Sequence, residues 1–438
     1  MKKLLGRIAV VLGILLALAG LRILAGRLLG PSILERARAR FEAEVGPLRP
    51  ELAGATVAPA DNAGALLIEA VEALRFPSED RTLVRDLGRR DADPADPAVR
   101  ERLHAILDRN AASLELIDRA SARTDSLMQA RRDYFLGTRN PAPVIRLVDL
   151  AQLVRAAGLV ALAEDDDPAL LAAIRRLATI ARAGRLERVV VAQIPARIAE
   201  NDLHDLLRLR LARAVPSADL AELERSLSLV ESAPDLREIL IVECGLGDLM
   251  LREVASEPDS GSFGEGWLSP WDDDHFRAET FLAYAEVAAL VDRPRDQWRE
   301  PSQSTRTRVL AALVDPFSTP TIVRGMMAST LRSFVESEQR NRAEHALARA
   351  ALRFASGDPP PVEQTVAYTG EAIRTRTLGD GTLELALPEA AARILAEATS
   401  YADARCDPRR NLELQAERMT WRVAPPPEIP VVADRAGV

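Results

Sequence analysis

Between residues 142 and 256, apolar side chains recur every three to four positions, and this periodicity restricts the fold more than any other feature of the chain. Such spacing gathers apolar residues on one face of an α-helix. The turn signals between the apolar stretches predict helices at 142–163, 168–183, 186–214, 218–231 and 235–256. A helical hairpin cannot bury its own apolar face, so we expect stacked antiparallel hairpins, arranged as a solenoid-like array or an irregular bundle.

The remainder of the body also favours a mainly α fold. Aromatic residues make up only 4% of the chain, so Leu, Ala, Val and Ile must fill the core. Ala and Leu are strong helix formers. Further helices are predicted at 32–45, 65–74, 97–122, 273–293, 305–314, 320–355 and 388–403, and residues 76–95 are interpreted as a connector.

The C-terminal part has a different pattern. Gly379-Asp380-Gly381 separates two short apolar-rich segments, Ile373–Leu378 and Thr382–Leu387, and this is typical of a β-hairpin. Arg418–Val423 is expected to add a third strand. We therefore predict five regions, which are an anchor (1–30), a juxtamembrane helix and connector (31–60), a helical body (61–356), a small α+β region (357–423) and a disordered Pro-rich tail (424–438).

The N-terminus carries a hydrophobic segment, Ile8–Gly26, preceded by Lys2, Lys3 and Arg7. Its length approaches the roughly 20 residues of a membrane-spanning helix. We predict a single-pass anchor in a bacterial inner membrane, with the body on the periplasmic side. The alternative is a secreted protein whose leader is cleaved after the small-x-small sequence Ala17-Leu18-Ala19.

Charge is divided unevenly along the chain. Residues 1–40 carry a net charge of +7, although the whole chain carries −8. Because the acidic body would repel polyanions, we predict that the protein does not bind nucleic acid. The basic N-terminal part suits anionic lipid headgroups.

Two groups of residues near the loop 257–271 are candidate sites. Asp272, Asp273, Asp274 and His275 could bind a divalent cation, but acidic residues are also favoured at the start of a helix. Trp267 and Trp271 could contact a partner or could close the end of the helical core. No catalytic residue and no cofactor site is identified.

The four histidines are His104, His204, His275 and His345, and none has a second histidine four positions away. We therefore expect structural or surface roles and no zinc-binding helix motif.

Residues 243–247 combine several features. Glu243 is expected to pair with an arginine of a neighbouring helix, or to be a functional acid. Gly245 and Gly247 lack the preceding strand and third glycine of a dinucleotide site, and they favour a close helix crossing. Cys244 and Cys406 are interpreted as free thiols, with a disulfide as the alternative.

The layout of Ile8–Gly26, the helices 142–256, the helix 320–355 and the Gly379-Asp380-Gly381 hairpin resembles a broad group of single-span bacterial envelope proteins. These have an Ala/Leu/Arg-rich helical body and a small C-terminal hairpin region. The resemblance implies an envelope location but no activity. We therefore expect a membrane-tethered helical scaffold or protein-interaction protein. The alternatives are a hydrolase-like envelope enzyme with its site near residues 257–275, and a lipid-proximal binding protein with an apolar tunnel.

Overall fold

The computed structural model describes most of the chain after the N-terminal segment. The described residues are 29–49, 51–52, 56–87, 93–129, 142–256, 270–293, 319–358, 372–387 and 420–425. The segment Ile8–Gly26, the predicted helices 305–314 and 388–403, Cys406 and nearly all of the predicted tail lie outside them.

The described part is mainly α-helical with a small antiparallel sheet. The helices are α1 (29–44), α2 (Ala63–Ala73), α3 (Ser78–Asp86), α4 (Pro97–Arg109), α5 (Ala111–Ser121), α6 (Ala142–Ile145), α7 (Leu147–Ala163), α8 (Asp167–Leu186), α9 (Val190–Leu211), α10 (Ser217–Glu231), α11 (Leu236–Ser256), α12 (Pro270–Ala288) and α13 (Thr319–Ala355). The strands are β1 (Arg374–Thr377), β2 (Leu383–Ala386) and β3 (Thr420–Val423).

Two predictions about helix boundaries before residue 130 are wrong. The connector predicted at 76–95 contains α3, and the single helix predicted at 97–122 is broken into α4 and α5 at Asn110. The Asn110 side chain accepts a hydrogen bond from Arg75 N at 2.7 Å and donates to Ile106 O at 2.8 Å. An asparagine that bonds the backbone in this way competes with the regular helical pattern, which explains the break.

Gly184 does not end a helix as predicted but lies inside α8, where it permits close contact with α9. A Cβ atom at this position would be 2.8 Å from Ala196 Cβ and 2.9 Å from Ala192 O. The close crossing predicted at Gly247 is wrong, because a Cβ atom there would meet nothing within 4 Å. The prediction is therefore wrong for Gly247, it stays a prediction for Gly245, and Gly184 lies at a close helix crossing that was not predicted.

The C-terminal sheet agrees with the predicted strands. Its order is β1-β2-β3, and both pairings are antiparallel, with Leu385 opposite Thr375 on β1 and Trp421 on β3. Gly381, with φ of 81°, lies in the turn between β1 and β2. Leu385 and Trp421 belong to the same apolar cluster as the central helices, so the sheet packs directly on the helical body.

Apolar packing is divided into two clusters that meet along α13. The larger one includes Leu347 of α13 together with residues of α2 and α5 to α10 and of the sheet. The smaller one contains Val335 of α13, Phe41 of α1 and residues of α11 and α12. Between Val335 and Leu347, α13 carries Glu338, Gln339 and other buried polar residues, and these position the candidate site described below.

Among the described residues, none of the helices combines the length and the apolar character needed to cross a bilayer.

Substitution of Gly184 by Ala should destabilise the fold by about 1–3 kcal/mol, because the added methyl group collides with α9. Urea unfolding followed by circular dichroism measures the change. Gly247→Ala is the matched control, since it adds the same methyl group to a helix in open space and should stabilise the fold by up to about 1 kcal/mol. Equal effects of the two substitutions would contradict the proposed close contact.

Candidate functional site: a buried ionic network beside a groove

A buried guanidinium joins the helices α8, α9 and α13. Arg185 of α8 donates to both carboxylate oxygens of Glu200 on α9, and the distance from Nη2 to Oε2 is 2.8 Å. It also donates to Glu338 of α13, with Nη2 3.0 Å from Oε2. Arg185 is only 7% exposed, Glu200 0% and Glu338 3%. The planar fork of an arginine can pair bidentately with a carboxylate and still donate to a second one, whereas a lysine ammonium has no such fork.

The charges of this network hold each other in the ionised form. Burial alone would raise the pKa of Glu338, but Arg185, Arg197 and Arg342 lower it to about 2. Burial also opposes ionisation of Glu200, and Arg185 outweighs it and lowers the pKa of that carboxyl. The network therefore keeps its charges at neutral pH, and removal of one member leaves the others buried and uncompensated.

Two further side chains extend the network. Asn341 of α13 donates from Nδ2 to Glu200. Arg197 of α9 lies 3.8 Å from Glu338, and its guanidinium carbon is 4.9 Å from the centre of the Phe334 ring. Burial lowers the pKa of Arg197 to about 10, against the attraction of Glu338. The α9–α13 contact therefore depends on polar groups at its centre.

One turn further along α13, a carboxylate and two histidines form a series. Glu344 Oε2 lies 3.1 Å from His204 Nδ1, and His204 Nε2 lies 2.9 Å from His345 Nδ1. The two rings are perpendicular, with centroids 4.5 Å apart. Arg340 donates to the other oxygen of Glu344 at 2.9 Å, and despite burial Arg340 and His204 lower the pKa of Glu344 to about 2.

These hydrogen bonds assign the positions of the imidazole protons. His345 Nδ1 is also 3.2 Å from the backbone oxygen of Asn341, which can only accept, so Nδ1 carries the proton. His204 Nε2 is then an acceptor, and His204 donates from Nδ1 to Glu344. Burial, together with His204, lowers the pKa of His345 to about 4, so the ring is neutral at pH 7 and its Nε2 has a free lone pair.

His345 lines an open groove of about 360 Å³ between α10 and α13. Its Nε2 is buried and has no hydrogen-bond partner in the described part of the chain. Charged residues from several elements also line the groove, namely Arg185, Glu231, Asp235, Glu338, Arg342 and Arg349. A volume of this size is at the lower end of the range for small-molecule sites.

A partly buried carboxyl group lies beside the smaller apolar cluster. Glu243 of α11 accepts hydrogen bonds from Val190 N, at the start of α9, and from the Tyr284 hydroxyl. The prediction that Glu243 pairs with an arginine is therefore wrong. Burial raises its pKa to about 7 in spite of both hydrogen bonds. Cys244 beside it is a free thiol that is 1% exposed.

The structure describes the predicted site residues only in part. Asp274 lies in the first turns of α12 and pairs with Arg277 at 3.2 Å. The backbone of Asp272, Asp273, His275 and Trp271 belongs to α12, but their side chains lie outside the description, as does all of Trp267. Among the described residues, no three His, Cys, Asp or Glu side chains are placed to hold a metal ion. The sites predicted near residues 257–275 therefore stay predictions.

The apolar pattern does not indicate the buried network, because α13 lies far along the chain from α8 and α9. None of the histidines has a second histidine four positions away, and His204 and His345 are separated by 141 positions. Arginine and glutamate within otherwise apolar helices are the available signal for such a network.

No protein-family model, no curated protein and no solved structure matches this chain.

Substitution of Arg185 by Met should destabilise the fold by about 3–5 kcal/mol, because Glu200 and Glu338 would remain buried without their cation. Arg225→Met is the matched control. Arg225 pairs with Glu222 on α10 and its side chain is 73% exposed, so its loss should cost at most about 1 kcal/mol. Denaturant midpoints compare the two variants, and equal shifts would contradict the assigned role of Arg185.

The free energy of unfolding should depend on pH through His345 and Glu243, whose effects are opposite in sign. The pKa of His345 is lower in the folded chain than in the unfolded one, so stability is lost as the pH falls from about 6.5 to 4. The pKa of Glu243 is raised to about 7, so stability is gained as the pH falls from 7 to about 4.5. At about 1.4 kcal/mol per pKa unit, each contributes about 2–3 kcal/mol, and the two nearly cancel in the intact protein.

Single variants should separate these contributions. Glu243→Gln should lose about 2–3 kcal/mol on acidification from pH 7 to 4.5, and His345→Asn should gain a similar amount. Denaturant unfolding at a series of pH values measures both. If the free energy of unfolding of both variants changed with pH in the same way as that of the intact protein, neither group would be responsible for the pH dependence.

Proposed function

We propose that this protein is a membrane-tethered helical scaffold of the bacterial cell envelope, anchored by Ile8–Gly26 and binding its partners through the helical body. One observation carries the proposal. Helix α1, which follows the apolar segment closely, is packed into the body, where its Phe41 ring lies 5.7 Å from that of Phe281. An anchor joined to such a helix would fix the body close to the membrane.

The exposed arginines of α1 and the arginines that precede it support a position at a lipid surface, while α1 alone has three arginines and three glutamates. Arg38 and Arg40 are exposed and form i,i+4 pairs with Glu42 and Glu44. Arg36 is exposed too. Together with Arg22 and Arg27, which lie nearer to the N-terminus, these arginines give the membrane-proximal part of the chain an affinity for anionic headgroups.

The packing of the central helices favours the irregular bundle over the solenoid as the finer description of the body. Helix α8 contacts α5, α7, α9 and α10, and α9 contacts α7 and α13 as well. In a solenoid each hairpin would contact only its neighbours. A body centred on one helix is rigid, which suits a scaffold that holds partners at a fixed distance from the membrane.

The proposal is tested by fractionation of the full-length protein with a C-terminal tag. It should remain with the membrane after a carbonate wash, and added protease should digest the tag only when the outer face of the inner membrane is accessible. The variant Leu15→Arg/Leu16→Arg should be released, because each central arginine adds about 2.5–3.5 kcal/mol to insertion.

The matched control is Leu28→Arg/Leu29→Arg, which adds the same charges outside the apolar segment and should leave the protein membrane-bound. Intact protein in the soluble fraction, or a mature chain that begins after Ala19, would refute the anchor.

A further inference from the structure

We propose that the outer edge of strand β1 is a docking site for an acidic, extended peptide segment of a partner protein, which adds a fourth strand to the C-terminal sheet. The inference goes beyond the scaffold function and does not depend on membrane attachment. It is carried by three features of the sheet, which are the exposure of β1, the direction of its backbone groups and the charge of its outer face.

Strand β1 pairs on one side only within the described part of the chain. The order β1-β2-β3 places it at one edge of the sheet, and all four of its residues are exposed. Leu383 and Leu385 of β2 are buried, and Thr377 and Thr375 lie opposite them on the same face of the sheet. Because the two threonines are exposed even on this face, β1 extends beyond the part of the body that covers β2.

The register of the hairpin directs backbone groups of β1 away from β2. In an antiparallel pair, positions that exchange backbone hydrogen bonds alternate with positions that do not. Leu378 N donates to Thr382 O at 2.8 Å, so Leu378 and the residues two and four positions before it are the bonded ones. The N–H and C=O groups of Thr375 and Thr377 therefore point to the outer edge, where an extended peptide can pair with them.

The outer face of the sheet is basic, in contrast to the chain as a whole. Arg374 and Arg376 of β1 lie on this face with Glu384 of β2 and Arg422 of β3, and Arg422 Nε donates to Glu384 at 3.3 Å. Three arginines and one glutamate leave a local charge of +2, whereas the whole chain carries −8.

This charge selects the kind of strand that can be added. An antiparallel strand beside β1 would place its own side chains opposite Arg374 and Arg376 at non-hydrogen-bonded positions, where side chains come closest. Carboxylates at these alternate positions would pair with the two arginines, and opposite charges directly across a strand pair are stabilising. The matching partner is therefore an extended segment with Asp or Glu at every second residue.

The same charges disfavour a second copy of this chain at the edge. If two β1 strands paired antiparallel, the register that aligns Thr375 with Thr377 would place Arg376 against Arg376, and the register that aligns Thr375 with Thr375 would place Arg374 against Arg376. Like charges directly opposite each other destabilise a strand pair. Charged residues of this kind protect edge strands against self-association, and they reject one partner while they accept another.

The test uses full-length protein labelled with ¹⁵N-threonine in a nonionic detergent. In the free protein, the amides of Thr375 and Thr377 should exchange rapidly with solvent, because they face the outer edge. The probe is a heptapeptide of alternating Thr and Glu with blocked ends. It should shift both resonances in a saturable way and slow their exchange, while Thr82 of α3 is the internal control and should not change.

Two control peptides separate the charge from the backbone contact. A peptide with Gln in place of Glu can still form a strand but has no carboxylates, so it should bind about three- to tenfold more weakly. A peptide with N-methyl groups on its Thr residues keeps every carboxylate but cannot donate backbone hydrogen bonds to β1, and it should not bind measurably.

Variants of the protein test the same two contributions. Arg376→Glu should weaken binding of the Thr/Glu peptide about tenfold and should favour a peptide of alternating Thr and Lys. Arg119→Glu is the matched control, because Arg119 is exposed on α5, and it should bind the Thr/Glu peptide as the intact protein does. Thr375→Pro removes an N–H group at the outer edge and should abolish binding without a change of charge. If Thr375→Pro loses the sheet, the methylated peptide answers the same question on the intact protein.

Several results would overturn the proposal, and none depends on where the protein fractionates. Protection of the Thr375 and Thr377 amides in the free protein at every concentration would mean that this chain already covers the edge. Protection that grows with protein concentration would assign the edge to a second copy. Equal binding of the Glu and Gln peptides, equal binding of the methylated peptide, or no shift with the Thr/Glu peptide would each remove the acidic strand as the occupant.

Discussion

The described structure depends on one shared cation. The guanidinium of Arg185 is bound by Glu200 from α9 and Glu338 from α13, and all three side chains are almost wholly removed from water. Burial of one of these charges alone would cost too much free energy for a stable fold. The three groups compensate one another because the guanidinium donates hydrogen bonds to both carboxylates. Because α13 comes from a part of the sequence distant from α8 and α9, the network specifies where α13 docks, which apolar packing alone would leave less well defined.

The docked position of α13 connects the two apolar clusters, one on each side of the polar network. Toward its N-terminus, Val335 belongs to the cluster that holds α1, α11 and α12. Toward its C-terminus, Leu347 belongs to the cluster that holds the central helices and the sheet. The polar centre therefore joins α1, α11 and α12 to the rest of the body. It also positions Glu344 and His345 one to two turns further on, so that the groove and its buried acceptor are products of the same contact.

The sequence predicted local structure well and the site poorly, for a physical reason. Periodic apolar residues and caps are local signals, and they located α8 to α11, the long α13 and the hairpin around Gly379-Asp380-Gly381. Asn110 broke a predicted helix because its partner, Arg75, lies 35 positions away in the connection between α2 and α3. The pairs His204–His345 and Arg185–Glu338 are likewise contacts between distant segments, and their residue types are ordinary for helix surfaces until packing buries them. Only the three-dimensional arrangement separates a solvated charge from a buried one.

Native-state hydrogen exchange tests the central role of this network most directly. If Arg185 ties α13 to the central helices, the amides of residues 335–350 should exchange only when those of residues 174–185 do, with the same free energy of opening. Both sets should lose protection together in denaturant. If α13 instead exchanged through a separate opening of lower free energy while α8 stayed protected, the network would not be the interaction that holds these parts together.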